Sequence, residues 1–414
     1  MRILHTSDWH LGLEMAGHDR LPEQALFLEW LLDVLEREDV QALVVAGDVF
    51  DVVNPSVAAQ SLFADFLVRL RGRLPACEVV VVAGNHDSGS RLEIFRSFGQ
   101  ALGGIHLVGT FQPEIPGRHR FLLSAGGEPS AWCLAVPFLR ASDLDCRIRG
   151  DETVEVAFVR ALRGAYGALV DDCRAERPDL PVLATGHLTL SGSDRTGSER
   201  LLVGGVESIP VDSVSEGVDY LALGHIHRAQ SWKGGAVRYS GSPLPIDFDE
   251  RHGHQRVLLA DLGAAGVVPY VRELEVPRLV PLVRLPEIAG SWEAAEDALR
   301  AFDDSPWKDK PPGLHPLVEI RYVPDGPRPD LRERLDALCR GRAFRLAGTP
   351  RAEFPDAPAP TDGPRSQGVD LKAKDAPMEV LDRHWLGRYG GPLPEDLRGC
   401  FREAEALAAT GEGR

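Results

Sequence analysis

Five short motifs in the sequence carry side chains of the kind that bind divalent metal ions or transfer protons. Each motif follows a short apolar run, and four of the five open with a glycine. Their polar residues are carboxylates, imidazoles and one amide, without a thiolate among them. The motifs are Asp8-Trp9-His10, Gly47-Asp48-Val49-Phe50-Asp51, Gly84-Asn85-His86-Asp87, Gly186-His187 and Gly224-His225-Ile226-His227.

Nitrogen and oxygen donors of this kind suit Mn²⁺, Fe²⁺ or Zn²⁺. The candidate ligands are too many for one ion that must keep open positions, so we expect two divalent ions that share a bridging carboxylate. Such ions lie roughly 3.5–4 Å apart and serve in-line displacement at phosphorus. The candidate ligands are Asp8, His10, Asp48, Asn85, His187, His225 and His227.

Each motif alone also has a purely structural interpretation. Asp48 could cap a helix, an Asn-His pair is common in turns, and the last two histidines could be solvated loop residues. The functional interpretation depends on all five motifs occurring in order, each one at the end of a predicted strand. Other histidines lack this setting, and we interpret them as structural or surface residues.

The first two-thirds of the chain predicts the elements that position these motifs. Short β-branched runs bounded by glycine are typical of buried strands, and they alternate with amphipathic helical stretches. This alternation predicts an α/β domain, in which ligands bind beyond the carboxyl ends of the strands. Between 217 and 262 the helices stop and the strand-like runs YLAL, VRYS and RVLLAD follow closely, which predicts a second sheet that closes the domain. The predicted strands are Arg2–Ser7, Ala42–Ala46, Val79–Ala83, Cys133–Val136, Val182–Thr185 and Tyr220–Leu223, and the predicted helices are Pro22–Arg37, Pro55–Arg71, Arg91–Phe98 and Thr153–Arg174.

The character of the sequence changes after about Glu275. We predict a two-sheet layered domain flanked by helices over 1–275, a small α+β capping domain over 276–347, a Pro-rich linker over 348–368 and a helical tail over 369–414. The tail holds two amphipathic segments, Met378–Tyr389 and Pro394–Ala409, which are too short for a core of their own. They should therefore bind a partner protein or fold back to complete the small domain.

Composition and charge exclude several classes of protein. With 43% hydrophobic and 26% charged residues, the chain of 414 residues is an ordinary globular protein and not a disordered one. Its net charge of −16 excludes a generic polycation, so nucleic acid would have to bind through local patches or metal ions. Six scattered cysteines favour reduced thiols, and the absence of a secretory signal or a long apolar run predicts a soluble, cytoplasmic protein.

Taken together, the motifs resemble the signature of the calcineurin-like metallophosphoesterases, which reads D-x-H, G-D-x-x-D, G-N-H-D, G-H and G-H-x-H. Longer runs narrow the resemblance to the SbcD nuclease subunits of bacterial SbcCD complexes, over about residues 1–265. The tail is similar to that family in layout only. The runs are ILHTSDWHLG from Ile3, ATGHLTLSGS from Ala184, and ALGHIHRAQSW with VRYSGSPLPIDFDE between Ala222 and Glu250.

The resemblance implies a role for each site residue. His86 takes the position of the family's catalytic histidine beside the scissile phosphate, and chemistry alone suggests that Asp87 orients it. Archaeal and eukaryotic relatives have a second histidine where this chain has Asp51, which puts in doubt a mechanism with two non-ligand histidines. By position, one ion would bind Asp8, His10, Asp48 and His227, and the other would bind Asp48, Asn85, His187 and His225, with Asp48 bridging.

The implied activity is that of a manganese-dependent DNA nuclease in repair and recombination, an exonuclease on double strands and an endonuclease on single strands and hairpins. Its implied partners are DNA, an SbcC-type ATPase that would bind the tail helices, and a second copy of the chain. The same metal core also serves phosphoesterases for small substrates, and a third alternative is a fold retained as a binding scaffold. The extra domain after Glu275 favours a macromolecular substrate, and the full set of ligands favours an enzyme.

Overall fold

The computed structural model describes residues 1–115, 117–199, 208–326, 328, 330–353, 377–389 and 391–410. The chain forms two compact units, one of Met1–Leu282 with Pro311–His315 and one of Val283–Lys310 with Pro316–Arg414. All five motifs lie in the first unit. The linker predicted over 348–368 lies mostly outside the described residues, and the division into four segments stays a prediction.

Strands and helices alternate through most of the first unit, as the sequence pattern predicts. The strands of the described chain are β1 (Arg2–Thr6), β2 (Glu14–Met15), β3 (His18–Asp19), β4 (Ala42–Ala46), β5 (Glu78–Val82), β6 (Ile105–Val108), β7 (Arg120–Ala125), β8 (Glu128–Leu134), β9 (Val182–His187), β10 (Tyr220–Gly224), β11 (Gln230–Trp232), β12 (Val237–Tyr239), β13 (Arg256–Asp261), β14 (Tyr270–Glu275), β15 (Leu282–Gly290), β16 (Leu317–Tyr322), β17 (Arg345–Leu346) and β18 (Arg351–Ala352). The α-helices are α1 (Leu21–Arg37), α2 (Val57–Arg73), α3 (Gly89–Leu92), α4 (Ile94–Leu102), α5 (Val154–Glu176), α6 (Asp212–Ser215), α7 (Trp292–Ala301), α8 (Leu331–Cys339), α9 (Pro377–Tyr389) and α10 (Glu395–Thr410).

Two six-stranded sheets form the centre of the first unit. The first has the order β14-β13-β1-β4-β5-β6, and the second has the order β11-β12-β10-β9-β8-β7. The four strands β1, β4, β5 and β6 run parallel, and so do the four strands β12, β10, β9 and β8. Their carboxyl ends therefore supply loops at one edge of each sheet, where α/β proteins place their ligands.

Side chains alternate between the two faces of each strand, so each strand contributes to a core on both sides of its sheet. In β4, Leu43 and Val45 join a core with the apolar faces of α1 and α2, whereas Ala42 and Val44 belong to the core shared by the two sheets. In β10, Leu221 and Leu223 pack with α5 on the other side of the sandwich. Because strand side chains alternate with a period of two, a strand buried on both faces reads as a continuous apolar run. The predicted layered α/β class with two sheets and flanking helices is confirmed.

One strand joins a different sheet from the one expected. Arg256–Asp261 was predicted with the strands of a second sheet, but it pairs antiparallel with β1 in the first sheet. The register places Arg2 opposite Asp261, and their side chains form an ion pair at 2.7 Å. An apolar run shows that a strand is buried, but it does not say which sheet edge the strand will join.

The second unit contains a small sheet in which β15, β16 and β17 are neighbours and β18 also pairs with β16. Its core includes Trp292, Leu299, Ile320 and Phe344, with Trp292 contributed by α7. The two tail helices occur as predicted in type and position, and they belong to this same compact unit. Within the described chain, no helix is both long and apolar enough to cross a bilayer.

Candidate metal centre

The five motifs converge at one end of the first unit. Asp8, Asp48 and Asn85 follow the parallel strands β1, β4 and β5, while His187 ends β9 and His225 follows β10 directly. The two strand sets belong to different sheets, so the site forms where the carboxyl edges of both sheets meet. Hydrogen bonds join the loops within and between the sheets. The backbone N–H of Asp8 donates to the carbonyl of Gly47 at 3.0 Å within the first sheet, and the N–H of His225 in the second sheet donates to Asp8 Oδ1 at 3.0 Å.

Four of the predicted ligands have a left-handed backbone. The φ angles are 54° at Asp8, 46° at His10, 50° at Asp48 and 94° at His225. Residues other than glycine avoid this region, and each such residue costs on the order of 1–3 kcal/mol. The packed sheets hold these residues in place, and the strain is concentrated where the donor side chains must turn towards one point.

Two glycines bring the loops close enough together. Gly47 has a φ of 94°, and a Cβ at this position would overlap the ring of His187. A Cβ at Gly84 would overlap the carboxylate and the backbone of Asp48. Glycine is therefore required before each of these donors, because Gly47 faces a loop of the other sheet and Gly84 faces the neighbouring loop of its own sheet.

A first group of donors consists of Asp8, His10 and His227. One donor atom from each lies within 4.8 Å of the others, and all three side chains are buried. Asp8 is held from outside the group, since its carboxylate accepts hydrogen bonds from Ser7 Oγ at 2.5 Å and from the N–H of His225 at 3.0 Å. His10 Nε2 is buried without a hydrogen-bond partner among the described residues. A bound cation would satisfy this nitrogen, whereas a buried unpaired polar atom is otherwise costly.

Asp48 lies between this group and a second one. Its Oδ2 is 3.7 Å from His10 Nε2 and 3.2 Å from His187 Nε2, and its Oδ1 accepts the N–H of His86 at 2.8 Å. Burial acts to raise the pKa of Asp48, but the charge and hydrogen bond of His187 outweigh it and hold this pKa well below its usual value. Asp48 is therefore a carboxylate in contact with donors on both sides, as the bridging role requires.

The second group contains Asn85, His187 and His225. Asn85 Oδ1 is 3.0 Å from His187 Nε2 and 2.9 Å from His225 Nδ1. The other ring nitrogen of His187, Nδ1, donates to the carbonyl of Ala46 at 2.9 Å, which leaves Nε2 facing Asp48 and Asn85. An imidazole held in this way presents a fixed lone pair to a metal ion.

Two of the candidate histidine ligands have raised pKa values. Burial lowers the pKa of His187, but the neighbouring Asp48 raises it to about 9 overall. Burial also lowers the pKa of His227, but its hydrogen bond to Glu250 outweighs this effect and raises the pKa to about 9. His225 differs, because burial and the neighbouring His187 lower its pKa well below the usual value. Metal binding at His187 and His227 would release their protons. The donor types and the unpaired His10 nitrogen fit a divalent metal site.

Two residues behind His227 did not stand out in the sequence. Ser198 Oγ lies 2.7 Å from His227 Nδ1 and donates to Glu250 Oε1 at 2.7 Å, and Glu250 Oε1 itself is 3.3 Å from His227 Nδ1. Burial would raise the pKa of Glu250, but His227 and Ser198 keep it lowered. Neither residue belongs to a strand-end motif, and no spacing rule connects either one with His227.

The two predicted catalytic residues, His86 and Asp87, have different hydrogen-bond partners. His86 lies beside the first group, with its ring centroid 4.6 Å from that of His10, and its Nδ1 bonds to the backbone oxygen of Asp51 at 2.7 Å. Asp87 instead accepts backbone N–H groups, from Gly84 at 2.8 Å and from Phe50 at 2.9 Å. Burial and the charge of Asp48 raise the pKa of Asp87 to about 6. Any orienting effect of Asp87 on His86 would therefore act through the loop backbone.

Asp51 has a clear structural place although its role could not be assigned from the sequence. Its Oδ1 is 3.1 Å from Nδ1 of His10, so it holds the ring of a predicted ligand from behind. The same oxygen is 3.9 Å from His86 Nδ1. One carboxylate thus faces both a predicted ligand and the predicted catalytic histidine.

Comparison with known proteins agrees with this geometry. The family model for the calcineurin-like phosphoesterases matches residues 1–229, and the chain belongs to that class. A second family model, described as the type 5 capsule protein repressor C-terminal domain, matches residues 278–387.

Two sequence relatives identify the family within this class. The SbcD subunit of the SbcCD nuclease from Rhodobacter capsulatus is 38% identical over 374 residues, which cover 87% of this chain and 91% of the relative. The SbcD protein from Escherichia coli K12 is 36% identical over 319 residues, or 75% of this chain and 77% of the relative. Within its class, the chain belongs to the family of these SbcD proteins.

A solved structure of a dimetal phosphatase from Danio rerio aligns with 66% of this chain and 98% of its own length, at 15% identity. Its TM-score of 0.37 is too low to support any argument about this chain. The family assignment therefore depends on the sequence relatives and on the two family models.

Proposed function

We propose that this protein is a two-metal-dependent DNA nuclease, an exonuclease on double-stranded DNA and an endonuclease on single-stranded and hairpin DNA. The observation that carries the proposal is the position of Asp48, whose carboxylate contacts donors of both groups in a chain of the SbcD family. The relatives are named as subunits of a nuclease complex, and phosphodiester hydrolysis is the chemistry that such a site performs.

Two divalent ions, with Mn²⁺ as our first choice, would neutralise charge on the phosphate oxygens and lower the pKa of an attacking water. Asp8, His10 and His227 would hold one ion, Asn85, His187 and His225 would hold the other, and Asp48 would contact both. The two carboxylates offset only half of the charge of two divalent ions. The site would therefore attract a phosphodiester even though the chain carries a net charge of −16.

His86 would act on the substrate and not as a ligand. Its Nδ1 is engaged by the Asp51 backbone, so the ring would direct its other nitrogen towards the reacting phosphate. There it could stabilise the developing charge or protonate the leaving sugar oxygen. The hydrogen bond to the backbone orients the ring before the substrate arrives.

We further propose that the chain acts as a homodimer with an SbcC-type ATPase, in the cytoplasm where chromosomal DNA is found. The homodimer is implied by the family resemblance, and α4 offers a candidate contact, because Ile94 and Phe98 lie one turn apart on one face of this helix and are 72% and 38% exposed. We place the dimer contact on this face of α4. The tail helices α9 and α10 are the segment that we assign to the ATPase.

The decisive experiment compares the wild-type chain with Asp48→Ala. Wild-type protein with Mn²⁺ should cleave linear double-stranded DNA and DNA hairpins, and a chelator should stop both reactions. The variant should lose both activities and bind less Mn²⁺, because Asp48 contacts both donor groups. Asp33→Ala is the matched control, since Asp33 is an exposed carboxylate of α1 in a surface ion pair of small energetic value.

Two results would contradict the proposal. Near-normal cleavage by Asp48→Ala would refute the two-metal assignment. Efficient hydrolysis of phosphomonoesters or cyclic nucleotides by a wild-type protein that leaves DNA intact would instead favour the small-substrate alternative.

A further inference from the structure

A cavity of about 310 Å³ opens beside the candidate metal centre. The loops that follow β4, β5, β6 and β8 enclose it, and all four strands end at the edge where the metal-binding motifs lie. Its volume is at the lower end of the range for cavities that bind small molecules. Its lining includes Val53, Gly84, Ser90, Phe111, Phe138 and Arg140.

The cavity is continuous with the metal centre. Gly84 and Asp87, which frame the motif containing Asn85 and His86, also line the cavity. Phe138 also lines the cavity, and its ring centroid lies 6.4 Å from that of His187, with the two rings at 89°. A group bound here would therefore lie next to a phosphate held at the predicted metal ligands.

The position of Phe138 is fixed by the backbone of the same loops. Its N–H donates to the carbonyl of Ala83 at 2.8 Å, which joins the loop after β8 to the loop after β5. Gly89 and Gly109 approach so closely that a Cβ on either would overlap the other's carbonyl. The cavity is thus a built feature of the fold, with walls that are tied together by main-chain contacts.

The lining has the chemistry of a nucleoside site. Phe138 and Phe111 offer apolar aromatic surface, and the guanidinium carbon of Arg140 lies 5.8 Å from the centroid of the Phe138 ring. Asp143 also lines the cavity, but its Oδ2 accepts the backbone N–H of Arg140 at 2.8 Å. Among the described residues the Arg140 guanidinium itself forms no ion pair, so it can approach a phosphate. Ser88 and Ser90 add hydroxyl groups that can donate or accept hydrogen bonds.

We propose that this cavity binds the nucleoside next to the scissile phosphate, with its base against Phe138 and an adjacent phosphate near Arg140. The inference rests on the proposed nuclease function and names the part of the substrate that the site recognises beyond the phosphodiester. Stacking uses the face of any base, so this contact would position the strand without reading its sequence.

The test compares two phosphodiesters with the same leaving group. Thymidine 5′-p-nitrophenyl phosphate carries a nucleoside, whereas methyl p-nitrophenyl phosphate carries only a methyl group, which cannot stack. Phe138→Ala should lower kcat/KM for the nucleoside substrate relative to the other by about tenfold, which is the usual size of one stacking contact. Phe138→Trp should restore the ratio, and Tyr270→Ala, which removes a ring that is 67% exposed on β14, should not change it.

Two other outcomes would contradict the proposed nucleoside site. An unchanged ratio in Phe138→Ala would show that no nucleoside binds against this ring. An equal fall for both substrates, together with lost Mn²⁺, would show that Phe138 only supports His187, and it would also overturn the proposal. The nuclease function is tested separately, by wild-type cleavage of DNA. It would therefore not be contradicted if the cavity proved not to bind a nucleoside.

Discussion

Glu250 Oε1 lies 3.3 Å from Nδ1 of His227, and both side chains are buried. Glu250 is itself fixed, because the backbone N–H of Ile246 donates to its Oε2 at 2.9 Å. Ser198 lies between the carboxylate and the imidazole and bonds to both. This arrangement of a carboxylate behind a histidine orients the opposite ring nitrogen, Nε2, towards Asp8 and His10.

We predict that Glu250→Gln weakens Mn²⁺ binding by about 10- to 100-fold, the usual effect of removing such an outer partner. The amide keeps the size of the side chain but loses the charge that favours a fixed His227. Calorimetric titration of the purified protein with Mn²⁺ measures this effect without depending on turnover.

Asp249→Asn is the matched control for this experiment, because Asp249 is the adjacent carboxylate and is exposed. It should bind Mn²⁺ like the wild type. Equal affinity in Glu250→Gln and Asp249→Asn would show that the carboxylate behind His227 has no part in metal binding.

His86→Gln should keep both metal ions and lose about 10²- to 10⁴-fold in turnover, the range typical of a general acid or base. The reason is that His86 lies beside His10 but is held by the Asp51 backbone, as expected for a residue that meets the substrate. Metal content by mass spectrometry and single-turnover DNA cleavage separate the two effects. Loss of one ion in this variant would place His86 among the ligands, which its closeness to His10 and Asp48 permits.

The convergence of the candidate ligands could be predicted because each lies at the end of a strand whose apolar run is plain in the sequence, while their role as ligands stays a prediction. Parallel strands bring their carboxyl ends to one edge, so order along the chain becomes proximity in the fold. Glu250 and Ser198 do not lie at strand ends, so no such pattern marks them. Glu250 lies in a short helical turn between β12 and β13, and only the folding of this connection brings it to His227.

Two further differences between the predicted and the observed contacts arise because they also depend on the approach of distant segments. The run Arg256–Asp261 is visibly a strand, but its choice of β1 as a partner depends on which sheet edge is free. Asp87 looks like a partner for the adjacent His86 in sequence, but its carboxylate turns to backbone N–H groups of the Gly84 and Asp48 loops. Sequence patterns report periodicity and local residue types, while these contacts depend on how distant loops approach each other.

Ile94→Asp should convert a dimer into monomers. Ile94 is 72% exposed in the single chain, so a charge there should not disturb folding, but it would be buried if α4 pairs with a second copy. Sedimentation velocity measures the change, and Mn²⁺ binding should persist. Val268→Asp is the control, because Val268 is 50% exposed in the loop between β13 and β14. A wild-type protein that is monomeric at all concentrations would contradict the prediction.

Truncation after Glu353 should remove binding to an SbcC-type ATPase and leave the nuclease intact. This end point keeps β18, which pairs with β16 and would be lost in a cut at Gly348. Helices α9 and α10 contact each other, and Arg398 bonds to Asp382 across them at 2.6 Å, so the tail can act as one unit. Leu386 on α9 remains 56% exposed, as a partner-binding residue would be.

The opposing expectation is that the tail completes the small domain, and the structure contains an argument for it. Both helices belong to the compact unit of the small sheet, and Leu393 between them is buried. If the tail is part of that core, the truncated protein will aggregate or lose its thermal transition. If the tail serves the partner, the protein will stay soluble, cleave short DNA with Mn²⁺, and no longer co-purify with the ATPase. Full binding of the ATPase by the truncated protein would show that the tail assignment is wrong.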